Sequence, residues 1–206
     1  MIEAKDKRVR RTKKLLYHEL AILMKEKSID EITVTELTKR CHMNRSTFYL
    51  HYSDIHEMVR KAEDSIIGRM EAIFNREDYQ TILSNPLPLF ISALELVQEH
   101  ADIMCALLGS NGDMGFYRRL KQQIYARCLE SWLLTYHPHE TEKYWACYSF
   151  MIGGCVSMAI SWISEDLLSD TPKELAEKMI SLCKVIIKAS DIQLIIWNKY
   201  VLLMYN

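Results

Sequence analysis

The sequence predicts an all-α fold, in which a three-helix, helix-turn-helix N-terminal domain is joined by a long helix to a helical C-terminal domain. Apolar residues recur at intervals of three and four along most of the chain, which is typical of amphipathic helices. Only 6 glycines and 4 prolines interrupt the 206 residues, which favours long helices over sheets. Hydrophobic residues make up 49% of the chain, which is enough for a sizeable core.

Charge is unevenly distributed along the chain. The net charge is −1, but residues 1–60 contain 13 Lys and Arg against 9 Asp and Glu. The remainder contains 13 against 18, so the N-terminal part is basic (+4) and the rest is acidic (−5). This distribution is expected for a nucleic-acid-binding domain attached to an acidic body.

The chain begins with a basic segment that leads into the first predicted helix. Residues 5–14 contain seven cations and one acid, and we expect the first few residues to be solvated and disordered. A basic arm of this kind can also follow DNA phosphates or enter a minor groove. From Arg8 to about Lys27 the apolar residues share one side, which predicts a helix that braces the two helices after it.

Residues 33–52 are predicted to form two short helices joined by a tight turn. Thr33 and Glu36 have the spacing of a capping box, so a helix should begin at Val34. Asn44 is a second candidate N-cap, so another helix should run from Arg45 to about Tyr52.

The second of these helices has one apolar and one polar side. Phe48 and Tyr52 are four residues apart and should pack inward with Met43. The residues left facing outward are Arg45, Ser46, Thr47, Tyr49 and His51. This set suits a major groove, where Arg can pair with guanine and hydroxyl groups can reach bases or phosphates. An ordinary amphipathic helix pair would show the same pattern.

At these residues the chain resembles the TetR family of bacterial transcription regulators. The resemblance covers residues 8 to about 70 and lies in T-x-x-E-L (33–37), the turn at 41–43 and S-T-F-Y-x-H-Y (46–52). The family usually has Gly in the turn, where this chain has His42. It also often has a phosphate-binding Lys at the start of the next helix, where Ile55 stands, which suggests weaker or differently placed contacts with the DNA backbone.

The preferred function is a sequence-specific DNA-binding regulator that acts as a homodimer on a palindromic operator, with recognition helices about 34 Å apart. We expect Arg45 to read a base. The other expected contacts are Thr35, Ser46 and Tyr49 to bases or phosphates, and Thr33, Thr47 and His51 to phosphates. A helical protein–protein adaptor of the same fold without operator binding is the alternative.

A fourth helix should open after Ser53, because Asp54 and Glu57 repeat the cap spacing, and it should run to about Phe74. The break after it divides the chain into a DNA-binding domain at 8–70 and a regulatory, dimerising domain at 75–189. Further helices are predicted at 89–100, 102–108 and 116–136. The connector His137-Pro138-His139 lies beside Glu140, but the proline and the loop setting favour a solvated loop over a metal site.

The last two strong helices are predicted at 144–164 and from Pro172. Residues 144–164 carry no charge, and we expect a helix buried on all sides rather than a membrane span. The helix after Pro172 should face inward with Leu175, Met179, Leu182, Val185, Ile186 and Ala189. Two such helices per subunit can form an intersubunit four-helix bundle, and the resemblance implies dimerisation through them.

The resemblance also implies an effector cavity within residues 75–189. The candidate lining residues are Phe116, Tyr117, Met151, Met158 and Trp162. Aromatic and Met side chains of this kind also serve as plain core. The effector is expected to be a small molecule or a protein co-regulator.

The remaining signals restrict the other classes of function. No motif of a catalytic, phosphate-binding or metal site is found, so we predict no enzyme, no cofactor and no metal. The six cysteines are scattered without a C-x-x-C pair, which favours reduced core thiols in a cytoplasmic protein, with redox sensing as the alternative. No apolar run follows the first residues, so we expect no secretory signal. The apolar tail, 190–206, fits no function.

Overall fold

The computed structural model describes residues 2–76, 79–108, 112–126, 141–164 and 169–189. Regular structure within these ranges is entirely helical, which confirms the predicted all-α fold. A short 3₁₀ turn at Ile29–Glu31 precedes the second α-helix. The α-helices are α1 (Ile2–Glu26), α2 (Val34–Arg40), α3 (Arg45–Tyr49), α4 (Ile55–Phe74), α5 (Tyr79–Ser84), α6 (Leu87–Glu99), α7 (Ala101–Leu108), α8 (Met114–Tyr125), α9 (Thr141–Ser164) and α10 (Pro172–Ala189).

The first compact unit consists of Met1–Ile66 and His100–Arg118. In it, α1 packs along α7 and against α2. The buried side chains of α1 repeat at helical spacing, as predicted, and those of α7 face them: Leu16, Leu20, Leu23, Met24, Ile103, Met104 and Leu107. At the surface, His18 Nδ1 lies 2.8 Å from Asp102 Oδ2 and joins the same two helices. Burial of these apolar faces holds the helix-turn-helix against a long support.

Helix α1 begins at Ile2 rather than near Arg8, so the expected disorder of the first few residues is wrong. The added turns contain no Gly or Pro, and Ala, Lys and Glu are good helix formers. The basic segment 5–14 is therefore part of the helix and not a separate arm.

The second compact unit consists of Ile67–Glu99 and Arg119–Asn206. In it, α6 packs against α10 and α9, and α9 packs against α10. Trp162 Nε1 donates to the backbone oxygen of Asp170 at 2.9 Å, which ties the end of α9 to the segment before α10. Thr171 and Glu174 form a reciprocal cap, with Glu174 N to Thr171 Oγ1 at 3.3 Å and Thr171 N to Glu174 Oε2 at 2.8 Å. This cap and Pro172 at the first helical position start α10 where the sequence predicted.

The prediction that residues 144–164 are buried on all sides is wrong. The segment Trp145–Ser164, with a mean hydropathy of 1.5, is long and apolar enough to cross a membrane. Only 11% of it is buried, which contradicts the predicted burial on all sides. One stripe faces inward through Tyr148, Met151 and Trp162. The opposite side is exposed, including Phe150, which is 69% exposed. The helix therefore has one packed side and one apolar side in contact with solvent.

Helix α10 is likewise less buried than predicted. Leu175 and Met179 are buried, as expected, and Ile186 is half-buried. Leu182 and Val185, however, are 51% and 62% exposed, so their predicted inward position is wrong. The neighbouring helices α6 and α9 cover only one stripe of α10. This covered stripe is narrower than the apolar surface of α10, so part of that surface stays exposed.

Several predictions fall outside the described residues. These are the C-terminal half of the helix predicted at 116–136, the connector around His137 and His139, and the tail 190–206. The stretch 75–88, predicted as a break, contains the short helix α5. The functional boundary between 8–70 and 75–189 stays a prediction, since α4 begins in the first compact unit and ends in the second.

Candidate nucleic-acid interface

The two helices of the helix-turn-helix begin at the caps that the sequence predicted. Thr33 Oγ1 accepts a hydrogen bond from Glu36 N at 3.2 Å, and Asn44 Oδ1 accepts one from Ser46 N at 3.0 Å. Each cap satisfies a backbone N–H that lacks a partner inside its helix. The Glu36 carboxylate binds Lys27 Nζ at 2.6 Å instead of completing the capping box, and this bond lowers the pKa of Glu36.

The turn between the helices places His42 in the left-handed region, with φ 51°. This is the position where the TetR family usually has Gly, and a non-Gly residue adopts this conformation at some cost. Backbone bonds hold the turn, with Met43 N to the Thr38 oxygen at 2.9 Å and His42 N to the Lys39 oxygen at 3.1 Å. Thr38 is 2% exposed, and its hydroxyl donates to the Val34 oxygen at 2.7 Å.

The inward side of α3 is fixed by aromatic packing. Phe48 is fully buried and Tyr52 is 2% exposed, which confirms their predicted orientation. Tyr52 donates its hydroxyl to the Tyr17 hydroxyl of α1 at 3.0 Å, and burial raises the pKa of both phenols. Both tyrosines are therefore neutral at ordinary pH, and their hydrogen bond connects α1 to the end of α3.

The outward side of α3 carries the predicted DNA-binding residues. Arg45, Ser46 and Tyr49 are exposed, and Thr47 is half-buried. Within the described part of the chain, no hydrogen bond or ion pair holds the Arg45 guanidinium. The Tyr49 ring is 57% exposed and meets the Phe48 ring edge-on, with centroids 5.6 Å apart. The Tyr49 ring, which could reach a base, thus packs against a buried ring.

The three other predicted residues lie around this helix. Thr33 is exposed, and its hydroxyl oxygen accepts the hydrogen bond that caps α2. The hydroxyl proton is not used in that bond and can be donated to a phosphate. Thr35 is half-buried in the first turn of α2. His51 is half-buried after α3, and burial, followed by the charges of Lys13 and Lys61, lowers its pKa. His51 is therefore neutral near pH 7 and would contact DNA as a hydrogen-bonding group rather than as a cation.

Two cations near His51 were missed by sequence reasoning as individual site residues. Lys61 Nζ donates to the His51 backbone oxygen at 3.3 Å and lies 5.5 Å from the centroid of the Tyr52 ring. Lys13 of α1 is close enough to His51 to lower its pKa. The signals were present, since Lys13 is in the basic segment and Lys61 follows Glu57 by four residues, but their convergence depends on how α1 and α4 pack.

Leu50 is the third residue that sequence reasoning missed. It is 79% exposed at the end of α3, next to Tyr49. Its signal was its register, because an apolar residue between Phe48 and Tyr52 falls outside their inward-facing stripe. An exposed leucine here offers an apolar contact beside the polar groups.

Ile55, which stands where the TetR family often has a phosphate-binding lysine, is 4% exposed and belongs to the core. The start of α4 is capped by carboxylates instead. Asp54 Oδ1 accepts from Glu57 N at 2.7 Å, and the Glu57 carboxylate accepts from Ser53 N and pairs with Lys61 at 3.0 Å. These bonds, led by the one from Ser53 N, lower the pKa of Glu57 to about 2.

The candidate effector-binding residues are divided between the two compact units. Phe116, which is fully buried, and Tyr117, which is half-buried, belong to the first unit. Met151, Met158 and Trp162 belong to the second, and the Trp162 indole N–H is already engaged by Asp170. Their role in ligand binding stays a prediction.

Comparisons with known proteins identify the C-terminal region. Residues 84–184 match a TetR-type family model described as transcriptional regulator C-terminal region. The crystal structure of a TetR family transcriptional regulator, PfmR from Thermus thermophilus, is similar to this chain at 14% identity and a TM-score of 0.49. The similarity covers 84% of this chain and 97% of that one. No curated protein matches the sequence.

Proposed function

We propose, from the match of residues 84–184 to a TetR-type family model, that this chain is a sequence-specific DNA-binding repressor of the TetR family. It acts as a homodimer on a palindromic operator in the cytoplasm, and proteins of this family are generally not enzymes. The observation that carries the proposal is the outward side of α3. There Arg45, Ser46 and Tyr49 are exposed above the buried ring of Phe48.

The side chains of this surface match the chemistry of a major groove. The Arg45 fork can donate two hydrogen bonds to O6 and N7 of guanine, which is the commonest specific contact between proteins and DNA. Thr35, Ser46 and Tyr49 add contacts to bases or phosphates. Thr33, Thr47 and His51 fix the register by binding phosphates, which positions the protein without reading sequence.

Lys13 and Lys61 take over the phosphate contact that a lysine at position 55 would make. Both lie close to His51, at the end of α3. The ammonium of Lys61 also bonds the His51 backbone oxygen, so a phosphate bound there would be tied to the orientation of α3. Contacts of this kind supply affinity that falls steeply with salt.

The homodimer is supported by the apolar surface of α9 and α10. Phe150, Leu182 and Val185 are each more than half exposed. Gly153 and Gly154 are exposed on the same side of α9, where they allow a second helix to approach closely. Two copies of the α9–α10 pair would form a four-helix bundle and hold the two α3 helices at the spacing of successive major grooves, about 34 Å.

A small molecule that binds the helical C-terminal domain releases the repressor from its operator. Such a ligand acts only if it binds the DNA-competent and the released states with different affinities. Within the second compact unit, Met151, Met158 and Trp162 of α9 supply apolar surface for it.

The decisive test is DNA binding by an Arg45→Ala variant. Fragments that the chain selects from genomic DNA would define the operator, and fluorescence anisotropy would then measure affinity against salt. Loss of Arg45 should weaken operator binding by about 1–3 kcal/mol and relax one base position. Arg76→Ala, which removes an exposed arginine from the segment after α4, is the matched control.

Two results would overturn the proposal. If Arg45→Ala bound every sequence as the control does, Arg45 would not read a base. If the unaltered chain bound DNA weakly and without a steep dependence on salt, the adaptor function would be favoured, and protein partners would be sought instead.

A further inference from the structure

Two cysteines meet between α9 and α10. Cys155 Sγ lies 3.8 Å from Cys183 Sγ, although 28 residues separate them in sequence. Both side chains are half-buried and both belong to the second compact unit. Of the described cysteines, these two are the pair whose sulfur atoms are in hydrogen-bonding contact.

The helices themselves hold the sulfur atoms together. Cys155 is on the inward stripe of α9, four residues after Met151 and seven before Trp162, both buried. Cys183 is on the inward stripe of α10, four residues after the buried Met179. The contact therefore depends on packing between two long helices and not on a mobile loop.

The hydrogen bond between the thiols also changes their acidity. The bond with Cys155 lowers the pKa of Cys183 and outweighs burial, which raises it. Cys41 shows the contrary behaviour, since burial raises its pKa to about 11. The thiolate is the nucleophilic form of cysteine, so the lowered pKa favours reaction at Cys183.

We propose that Cys155 and Cys183 are a reversible oxidation site, at which a small peroxide joins α9 to α10 by a disulfide. A cytoplasmic protein keeps its thiols reduced at rest, and the disulfides that form there are usually transient and redox-sensing. A pair of thiols already in contact within one chain fits that use.

The reaction balances with hydrogen peroxide as the oxidant. The Cys183 thiolate attacks one peroxide oxygen, the O–O bond breaks, and the hydroxide that leaves takes a proton to become water; Cys183 becomes a sulfenic acid. Cys155 sulfur then attacks the Cys183 sulfur, and the S–O bond breaks as water leaves with the Cys155 proton. Two thiols and one peroxide thus give one disulfide and two waters, and a reducing thiol reverses the change.

The required movement is small. The sulfur atoms must approach from 3.8 Å to a bond length of about 2.05 Å. Side-chain rotation and a slight shift of α10 along α9 can supply this approach. The product would pin the two helices that carry the apolar surface of Phe150, Leu182 and Val185.

The test is peptide mapping of the folded full-length chain after brief exposure to hydrogen peroxide. Remaining thiols are alkylated, the chain is digested without reductant, and linked peptides are identified by mass spectrometry. We expect a peptide pair joined through Cys155 and Cys183 to be the main product, to disappear with dithiothreitol, and to form faster than in urea-unfolded chain. Cys41→Ser is the matched control and should leave the pair unchanged.

Single variants separate the two roles. In Cys155→Ser, the Cys183 sulfenic acid has no thiol opposite it and should be trapped by dimedone, whereas Cys183→Ser should give little trapping at Cys155. The inference fails if the linked pair is absent, or no more abundant than links through Cys105 or Cys147, or formed equally fast in unfolded chain. The mapping uses the unaltered chain, so it decides the question even if a variant does not fold.

Discussion

Arg45 and Tyr49 lie one turn apart on the open side of α3, and Phe48 between them is fully buried. Under the proposed function, one short helix therefore has to serve both packing and DNA recognition. Its inward residues cannot change without moving its outward ones, because Tyr49 rests edge-on against Phe48 and Tyr52 is bonded to Tyr17. Under the proposed function, variation in DNA specificity would thus be confined to the outward residues, among which Leu50 could contact a thymine methyl group.

Glu57 has the clearest consequence for pH at the scale of a single residue. Its folded-state pKa is about 2, compared with an ordinary 4.5, and the largest cause of this lowering is the hydrogen bond from Ser53 N. A carboxyl group whose pKa is lowered by folding stabilises the folded state above its unfolded pKa, and this stabilisation is lost as pH falls through the folded pKa. The advantage of the native chain over Glu57→Gln in melting temperature should be complete above about pH 4.5 and should disappear towards pH 2.

The measurement is thermal unfolding followed by circular dichroism at a series of pH values. Glu57 is half-buried and its partner Lys61 is exposed, so the effect of Glu57 should also shrink with added salt. Glu71→Gln, which removes an exposed carboxylate from the same helix, is the control. A constant difference between native chain and Glu57→Gln across this range would contradict the role assigned to the cap.

At the scale of the element, the turn between α2 and α3 is held in a conformation that suits glycine. His42 has φ 51°, and backbone bonds from His42 N to the Lys39 oxygen and from Met43 N to the Thr38 oxygen hold the turn. His42→Gly should therefore stabilise the chain by up to about 1 kcal/mol, because relief of the left-handed strain outweighs the extra flexibility that glycine gives the unfolded chain.

Chemical denaturation would measure this change, and His42→Ala is the matched variant. Alanine keeps the strain and should give no gain. If glycine destabilised the chain relative to alanine, then the His42 side chain would be contributing a contact that outweighs the strain of its backbone.

Elements whose signals are local could be predicted from sequence. The caps at Thr33, Asn44 and Asp54 and the inward stripe of Phe48 and Tyr52 depend on spacings within one helix. They are confirmed for that reason. The convergence of Lys13 and Lys61 on His51 could not be predicted, because it depends on the packing of α1 and α4 around α3.

The errors at α9 and α10 have a different physical cause. Apolar composition shows that a surface avoids water, but it does not show whether the same chain or a second one covers it. Phe150 was therefore predicted to be buried and Leu182 and Val185 to face inward, although all three are exposed in the single chain. The residues that face inward on these helices, such as Met151 and Met179, were distinguishable only by which neighbours the fold provides.

At the scale of the whole molecule, the exposed side of α9 and α10 should decide the oligomeric state. A double variant, Phe150→Glu with Val185→Glu, would place charges on the surface proposed to be buried between subunits. We expect it to weaken self-association by about tenfold or more, because an unpaired charge buried in an interface is strongly unfavourable.

Sedimentation velocity over a range of concentrations would measure the monomer–dimer equilibrium. Met114→Glu is the matched control, because Met114 is an exposed apolar residue of α8, 67% exposed, outside the proposed interface. Loss of self-association in the control as well, or its persistence in the double variant, would show that subunits meet elsewhere.

The exposed apolar side of α9 has a consequence for the single chain before it dimerises. A newly synthesised chain would expose Trp145, Phe150, Gly153 and Gly154 of α9 to water. An exposed apolar surface of this kind promotes association with other apolar surfaces and aggregation. In the proposed homodimer, pairing would cover this surface and would also set the distance between the two α3 helices. The melting temperature should accordingly rise with protein concentration. At a low concentration in the cell, the chain would be less stable because fewer copies are paired.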